Sequence, residues 1–156
     1  MTRMLVLLFA ALMIGVPGVG RACPAAPQGP LPTAELAIET ASGRYIFTVE
    51  EATTPDQRSC GLMQRPRLAR DAGMIFRQSP PGRSYFWMKN TPEPLDMLFL
   101  DQDGRVVHYV EYTVPYSTGA YGTEAEVAAV LELRAGSAGR MSLDLGDKVE
   151  HHWFKR

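Results

Sequence analysis

The chain has 156 residues, of which 46% are hydrophobic, and its 16 basic and 17 acidic residues give a net charge of −1. This length fits one folded domain with a single hydrophobic core. A near-neutral, slightly acidic chain is not suited to neutralising nucleic-acid phosphates, so we predict no nucleic-acid partner. The chain contains no glycine-rich nucleotide-binding loop and no G-x-S-x-G elbow, so we predict no cofactor and find no basis for a serine hydrolase.

The N-terminal segment has the pattern of a secretory signal peptide. Arg3 precedes an almost wholly apolar run over residues 4–16, and Gly20 and Ala22 are small residues at the positions that a signal peptidase inspects. The apolar run is too short for a membrane span. We therefore predict a signal peptide over residues 1–22 and a periplasmic or secreted protein. Cys23 directly after it raises the alternative of a lipid anchor, which is less favoured because Arg21 fits a lipobox poorly.

The exported chain divides into a tether and one domain. Loss of two arginines with residues 1–22 leaves 14 bases against 17 acids, a net charge of about −3. Residues 23–33 are proline-rich and form a stiff tether without a core, and residues 34–156 form a single β-rich domain. A disulfide between Cys23 and Cys60 would pin the tether to the domain in an oxidising compartment. The alternatives are two inert thiols, or a nucleophilic Cys60 served by His108 as base.

The first half of the domain reads as a hairpin, a short helix and a strand. Residues 35–39 and 45–49 are β-rich runs on either side of a turn that ends in Gly43. Thr54 followed by Pro55 is an N-cap followed by proline at the first helical position, which predicts a helix from Pro55 to about Gln64. Leu62 and Met63 are expected to face inward. Residues 73–76 are predicted as a strand and residues 78–82 as a loop.

The second half is also predominantly strand-forming. Strands are predicted over residues 84–89, 95–100, 106–112, 127–133 and 148–152, with one helical turn over residues 136–141. Residues 95–100 are apolar on both faces, which indicates a closed barrel or a covered sheet. We predict a mainly β (α+β) fold: a compact, barrel-like antiparallel or mixed sheet with one or two short helices.

One corner of the sequence combines an aromatic group with several polar groups. Trp87, Lys89 and Asn90 end one predicted strand, and Asp96 begins the next after a proline-stiffened turn. A structural account has Lys89 pairing with Asp96, Asn90 bonding to the turn, and Trp87 covering the core. A functional account has a small pocket, with the Trp ring as a platform and Lys89 or Asn90 binding a polar ligand group.

Two further polar residues are candidates for the same site. Arg65 follows the predicted helix and either pairs with Asp71 on the surface or reaches the corner. Glu132 interrupts an apolar run, so it is either paired with Arg134 or Lys89 or lines a pocket. Together with Asp96 it would make a carboxylate pair of the glycosidase type.

The sequence offers no metal site by spacing. His108 stands alone in a β run, and His151 and His152 are adjacent. In a strand, adjacent side chains point to opposite faces, so we predict no metal ligands here.

Five short motifs appear in order along the domain, at residues 60–65, 73–76, 86–96, 130–136 and 145–149. In them the chain resembles the domain of unknown function 192 family, whose members are often exported by bacteria. The resemblance covers roughly residues 35–152. It implies a compact β-rich fold and no assigned activity. The family pattern usually has Ile or Leu where Glu93 stands and often Arg or Gln where Cys60 stands, which weakens a catalytic role for that thiol.

The favoured functional prediction is a monomeric, non-catalytic binding module for a small polar or glycan-like ligand. The predicted ligand-binding residues are Trp87, Lys89, Asn90, Asp96, Arg65 and Glu132. The first alternative is an envelope hydrolase that uses Asp96 and Glu132, or Cys60. The second is an accessory protein that docks on a protein partner in the envelope through an exposed apolar patch.

Overall fold

The computed structural model describes Cys23 and residues 27–154. The predicted signal peptide and part of the tether, residues 24–26, lie outside the described residues. Within the described part of the chain, no helix has both the length and the apolar composition needed to cross a membrane.

The described residues form one mixed sheet and two short helices. In chain order the elements are β1 Thr33–Thr40, β2 Gly43–Ala52, α1 Pro55–Cys60, β3 Ala72–Phe86, β4 Leu95–Leu100, β5 Val106–Val110, β6 Tyr121–Arg134, α2 Ser137–Met141 and β7 Lys148–Glu150. The seven strands lie in the order β5-β4-β6-β3-β2-β1-β7. Only the β2–β3 pair among them is parallel. The prediction of a mainly β, mixed sheet with short helices is confirmed.

The sheet curls until its two edges touch. The edge strands β5 and β7 meet through a bridge between Arg105 and Lys148, and Val106 N–H donates to the Asp147 carbonyl at 3.0 Å. Strong curling gives the sheet an inner face that is closed off from water and leaves little unpaired edge. The fold is therefore a curled half-barrel.

Both faces of the sheet carry an apolar core. The inner cluster includes Leu98 and Leu100, whereas the outer cluster includes Met97 and Phe99 from the same strand. Every residue of β4 is buried, as its doubly apolar sequence predicts. An outer core needs a cover, and here the cover comes from the segments that follow α1 and β3.

Helix α1 supplies part of that cover and begins where the sequence predicts. Thr54 Oγ1 accepts from Gln57 N–H at 3.2 Å, and Gln57 Oε1 accepts from Thr54 N–H at 3.0 Å, which completes a capping box. The helix ends at Cys60 rather than near residue 64, because Gly61 takes a positive φ of 46°. Leu62 is buried beneath it and Met63 is partly buried.

Strand β3 is longer than predicted. The sequence suggested two strands separated by a loop over residues 78–82, because Pro80, Pro81 and Gly82 normally interrupt strands. In the structure one strand passes through this segment, and its register against β6 shifts between Arg77 and Gly82. A bulge of this kind absorbs residues that cannot take part in regular pairing. Strand β6 is correspondingly longer than the predicted 127–133.

The last predicted strand is shorter than expected, with a consequence for the histidines. β7 ends at Glu150, and the following residues form a turn. Side-chain alternation holds only inside a strand, so the expectation that His151 and His152 point to opposite faces was wrong. Their ring centroids lie 4.3 Å apart, and both rings approach the Glu51 carboxylate.

The tether is attached to the domain beside α1. Cys23 and Cys60 form a disulfide with a Cα–Cα distance of 5.3 Å. The side-chain amide of Gln28 donates to the carbonyls of Gln57 at 3.2 Å and Gly61 at 2.7 Å. The tether thus adds a second donor to the Gln57 carbonyl, which already accepts from Gly61 N–H at 2.8 Å, and a donor to the Gly61 carbonyl just after the helix.

We predict that replacing both Cys23 and Cys60 with Ser lowers the free energy of unfolding by about 2–4 kcal/mol, because the bond spans 37 residues and its loss releases chain entropy in the unfolded state. Urea denaturation measures the change. The unmodified protein under reducing conditions is the control and should match the double variant. Equal stability of the oxidised protein and the variant would contradict the prediction.

Candidate functional site

A pocket of about 370 Å³ lies between α1 and the outer face of the sheet. Its walls come from α1 with the turn after it, from β3 and from the segment after β3, and Glu132 of β6 also contributes. The residues that line it include Arg58, Ser59, Cys60, Leu62, Phe76, Gln78, Tyr85, Phe86, Trp87, Thr91 and Glu132. Its volume lies within the usual range of small-molecule sites.

Glu132 is the buried acid of this pocket. It lies opposite Met74 of β3 and Met97 of β4, so it shares the outer face of the sheet, and it is 4% exposed. Among the described residues no side chain or backbone group forms a hydrogen bond or ion pair with its carboxyl. Burial raises the pKa of Glu132 to about 8. At neutral pH this carboxyl is therefore mainly protonated, and it offers both an O–H donor and an acceptor oxygen to the pocket.

Aromatic side chains form much of the wall. The rings of Phe76 and Phe86 pack edge to face with centroids 5.0 Å apart, and Phe86 packs in the same way on Phe99 at 6.4 Å. These contacts fix the orientation of the inner wall. Tyr85 and Trp87 are about half exposed, at 53% and 48%, and they form the outer part.

Arg58 brings a positive charge to the pocket. Its Nη1 donates to the Thr53 carbonyl at 2.6 Å, which holds the side chain along α1. No ion pair joins Arg58 to an acid within the described ranges. Since its guanidinium has five donors, further donors are left for a ligand. Ser59 and Gln78 add hydrogen-bonding groups to the same pocket.

The structure places the residues of the predicted corner in different surroundings. Trp87 and Glu132 line the pocket. Lys89 places its Nζ 5.1 Å from the centroid of the Trp87 ring, a cation–π contact at an exposed position. Asn90 has a left-handed φ of 57°, and its carbonyl accepts from Gln64 N–H at 2.7 Å. The main chain of Asn90 therefore links this turn to the segment after α1.

Asp96 lies on the opposite face of the sheet. It is fully buried, and its two oxygens accept from Tyr112 N–H at 3.0 Å and from Ala138 N–H at 2.8 Å. These bonds tie the loop after β5 and the first turn of α2 to β4. No ion pair to Lys89 is found among the described residues. Because Asp96 and Glu132 face opposite sides of one sheet, they do not form a carboxylate pair around one substrate.

Arg65 binds the tether and strand β2 rather than the pocket. Instead of Asp71, its guanidinium binds both carboxylate oxygens of Glu50, at 2.5 and 2.9 Å, and donates to the Gly29 carbonyl at 3.2 Å. Glu50 also accepts from Leu31 N–H at 2.8 Å. This partly buried pair holds the tether next to the covered face, apart from the pocket lining.

The sequence interpretation missed Arg58, Gln78 and Tyr85 as site residues. Gln78 was assigned to a loop, and Arg58 belongs to a short helix whose orientation depends on distant contacts. The aromatic pair Tyr85 and Phe86 beside Trp87 was the available signal, because three successive aromatic residues put rings on both faces of a strand end.

These features define a class of small domains: a curled mixed sheet with a covered outer face and a buried acid in the pocket under that cover. The DUF192 family model (Uncharacterized ACR) matches residues 37–151. The chain belongs to this family.

Two solved structures resemble the chain closely. A crystal structure from Sinorhizobium meliloti 1021, named as a candidate transcription regulator, is 38% identical and covers 81% of this chain and 99% of its own, with a TM-score of 0.78. A protein of unknown function from Novosphingobium aromaticivorans DSM 12444 is 36% identical and covers 88% of this chain and 100% of its own, with a TM-score of 0.77. A search of curated proteins finds no match.

We predict that Glu132→Gln changes the pH dependence of stability. The buried carboxyl stays protonated up to about pH 8, whereas in the unfolded chain it ionises near 4.5. Glu132 therefore contributes a loss of stability of about 1.4 kcal/mol per pH unit as pH rises between these values, and the variant lacks this contribution. Urea denaturation from pH 4.5 to 8 measures both proteins. Parallel curves would contradict the prediction.

We predict that Asp96→Ala lowers the free energy of unfolding by about 2–4 kcal/mol, because it leaves the buried Ala138 amide and the partly buried Tyr112 amide without an acceptor. Urea denaturation measures the loss. Asp103→Ala removes an exposed carboxylate and is the matched control, expected to change stability little. A loss in Asp96→Ala no larger than in Asp103→Ala would contradict the structural role.

Proposed function

We propose that the protein is an exported, non-catalytic binding module that holds a small polar, glycan-like ligand in the pocket under α1. The observation that carries this proposal is Glu132, whose largely buried carboxyl lines the pocket and forms no hydrogen bond or ion pair with the described residues, while its oxygens are not among the side-chain atoms sealed from solvent without a partner. Buried polar groups normally have a hydrogen-bonding partner. A ligand hydroxyl supplies one.

The composition of the pocket supports a ligand with both polar and apolar surfaces. Glu132 offers a donor and an acceptor in the buried part, and Arg58 offers donors at the helix. The rings of Phe86, Tyr85 and Trp87 offer apolar surface between these polar groups. A sugar ring presents hydroxyl groups at its edge and C–H groups on its faces, so it matches this alternation, and a pocket of about 370 Å³ has room for a small saccharide.

Export is supported by features outside the pocket. The leader pattern of residues 1–22 is that of a signal peptide. The Cys23–Cys60 disulfide fits an oxidising compartment, since such bonds are rare where thiols are kept reduced. The proposed working location is the periplasm or the exterior.

Other functions have less support. The hydrolase alternative needs Asp96 beside Glu132 or a free Cys60 thiol, but the two acids lie on opposite faces and Cys60 is bonded to Cys23. The name of the Sinorhizobium neighbour suggests a role in transcription. A chain with net charge −1 has no excess of basic residues for DNA phosphates.

Tryptophan fluorescence tests the pocket directly. The chain has two Trp residues, so Trp153→Phe leaves Trp87 as the reporter at the pocket. We expect saturable fluorescence changes with N-acetylglucosamine oligomers or neutral oligosaccharides, and none with amino acids or dicarboxylic acids of similar size. In this background Arg58→Ala is expected to weaken binding about tenfold, since a hydrogen bond to a charged group is lost.

Arg67→Ala is the matched control, because the Arg67 side chain is 67% exposed and lies outside the pocket lining. It should leave binding unchanged. Native mass spectrometry of protein purified from its own cells gives an independent readout of any retained molecule. The proposal fails if no saccharide binds and the purified protein carries no added mass, or if Arg67→Ala weakens binding as much as Arg58→Ala.

A further inference from the structure

A second cluster of reactive side chains lies at the turn after β7, which is an edge strand of the sheet. Glu51 is near the end of β2, and His151 and His152 stand in the turn. By strand alternation Glu51 follows Phe47 and Val49 on the inner face, so the cluster lies at one mouth of the half-barrel. None of these three residues lines the pocket under α1.

The three side chains bring potential metal ligands to one point. Glu51 Oε1 lies 3.3 Å from His151 Nε2 and 3.0 Å from His152 Nε2. One ligand atom from each residue falls within 4.8 Å of the others. Bonds of 2.0–2.2 Å in a tetrahedral Zn²⁺ site place neighbouring ligand atoms about 3.3 Å apart. The separations from the carboxylate therefore match those around a shared ion.

Burial gives a second, independent observation. The side chain of His151 is 0% exposed and that of Glu51 is 15% exposed. Both Glu51 Oε1 and His151 Nε2 are buried without a hydrogen bond in the described structure, although they lie close together. Buried polar atoms without partners are uncommon. A cation between them would satisfy both atoms at once.

The donor set fits one class of ion. Two imidazole nitrogens and one carboxylate oxygen are ligands typical of Zn²⁺ and of neighbouring first-row divalent metals, whereas Mg²⁺ and Ca²⁺ prefer sites made of oxygen alone. Three protein ligands leave at least one position for water or another group. Both histidines also line an open groove together with Lys148, Glu150 and Glu35, from which that group could enter.

One contact changes on binding. Trp153 N–H lies 3.4 Å from His151 Nδ1. Metal at Nε2 requires Nδ1 to carry the proton of the neutral ring. Binding therefore exchanges this long contact for a coordination bond, which is far stronger than a hydrogen bond at that distance.

We propose that Glu51, His151 and His152 form a binding site for a first-row divalent metal ion, with Zn²⁺ as the ion that fits it best. The site is separate from the saccharide pocket and does not depend on it.

Titration of tag-free, metal-stripped protein with Co²⁺ tests this proposal, because cobalt d–d bands report the number and kind of ligands and Zn²⁺ can then be added in competition. We expect saturable binding of one ion per chain, displacement of Co²⁺ by Zn²⁺, and a rise in Tm with Zn²⁺. His152→Gln is the principal variant, because the His152 side chain is 60% exposed and its loss should not disturb the fold. It is expected to weaken binding at least about tenfold.

His108→Gln is the matched control. The chain has three histidines, and His108 lies on β5 against the Phe99 ring, outside the cluster. It should bind Co²⁺ as the unmodified protein does. The proposal is overturned if the unmodified protein shows no saturable binding at stoichiometric metal, if His152→Gln binds undiminished, or if His108→Gln loses binding equally.

Discussion

The fold depends on one constraint: its central strands are apolar on both faces. β4 is buried along its whole length, and β6 carries both Leu131 on the inner face and Val130 on the outer face. Curling of the sheet closes the inner face, but the outer face needs separate segments to exclude water. Those segments include α1 and the turn after it, which the disulfide and Gln28 hold in place. The candidate pocket is the gap that remains between this cover and the sheet.

Two buried acids show how position on the sheet decides the role of a residue. Asp96 and Glu132 lie on neighbouring strands. Both were predicted as site residues from the sequence, because each interrupts an apolar run. Asp96 receives two backbone amides and thereby joins β4 to α2. Glu132 faces the covered side, and burial raises its pKa because no charge or donor in the described structure compensates for it. The same type of side chain therefore serves as a structural link in one case and as an uncompensated group in the other.

Local patterns predicted those parts of the molecule that local interactions determine. The first hairpin follows from its turn, the start of α1 follows from Thr54 and Pro55, and β4 follows from six apolar-rich residues. The continuous strand β3 could not be predicted, because only pairing with β6 carries the chain through Pro80 and Pro81. The prediction that Arg65 pairs with Asp71 was wrong for a related reason. Its partner Glu50 lies 15 residues earlier in the chain, and folding brings the two together. Approach of His151 and His152 to Glu51 likewise depends on a turn that no local signal marked.

Glu132 is harder to explain by stability than by binding. An apolar residue of similar size at this position of the outer face would avoid the cost of burying a carboxyl, and no hydrogen bond or ion pair joins the Glu132 side chain to another described element. Asp96 and the Arg65–Glu50 pair are different, because removing either leaves buried partners unsatisfied. A group that weakens the fold and faces a pocket is compensated only when something in the pocket bonds to it. Water or a ligand in the pocket under α1 can supply that bond, and a hydrogen-bonding ligand is the occupant that the proposed function requires.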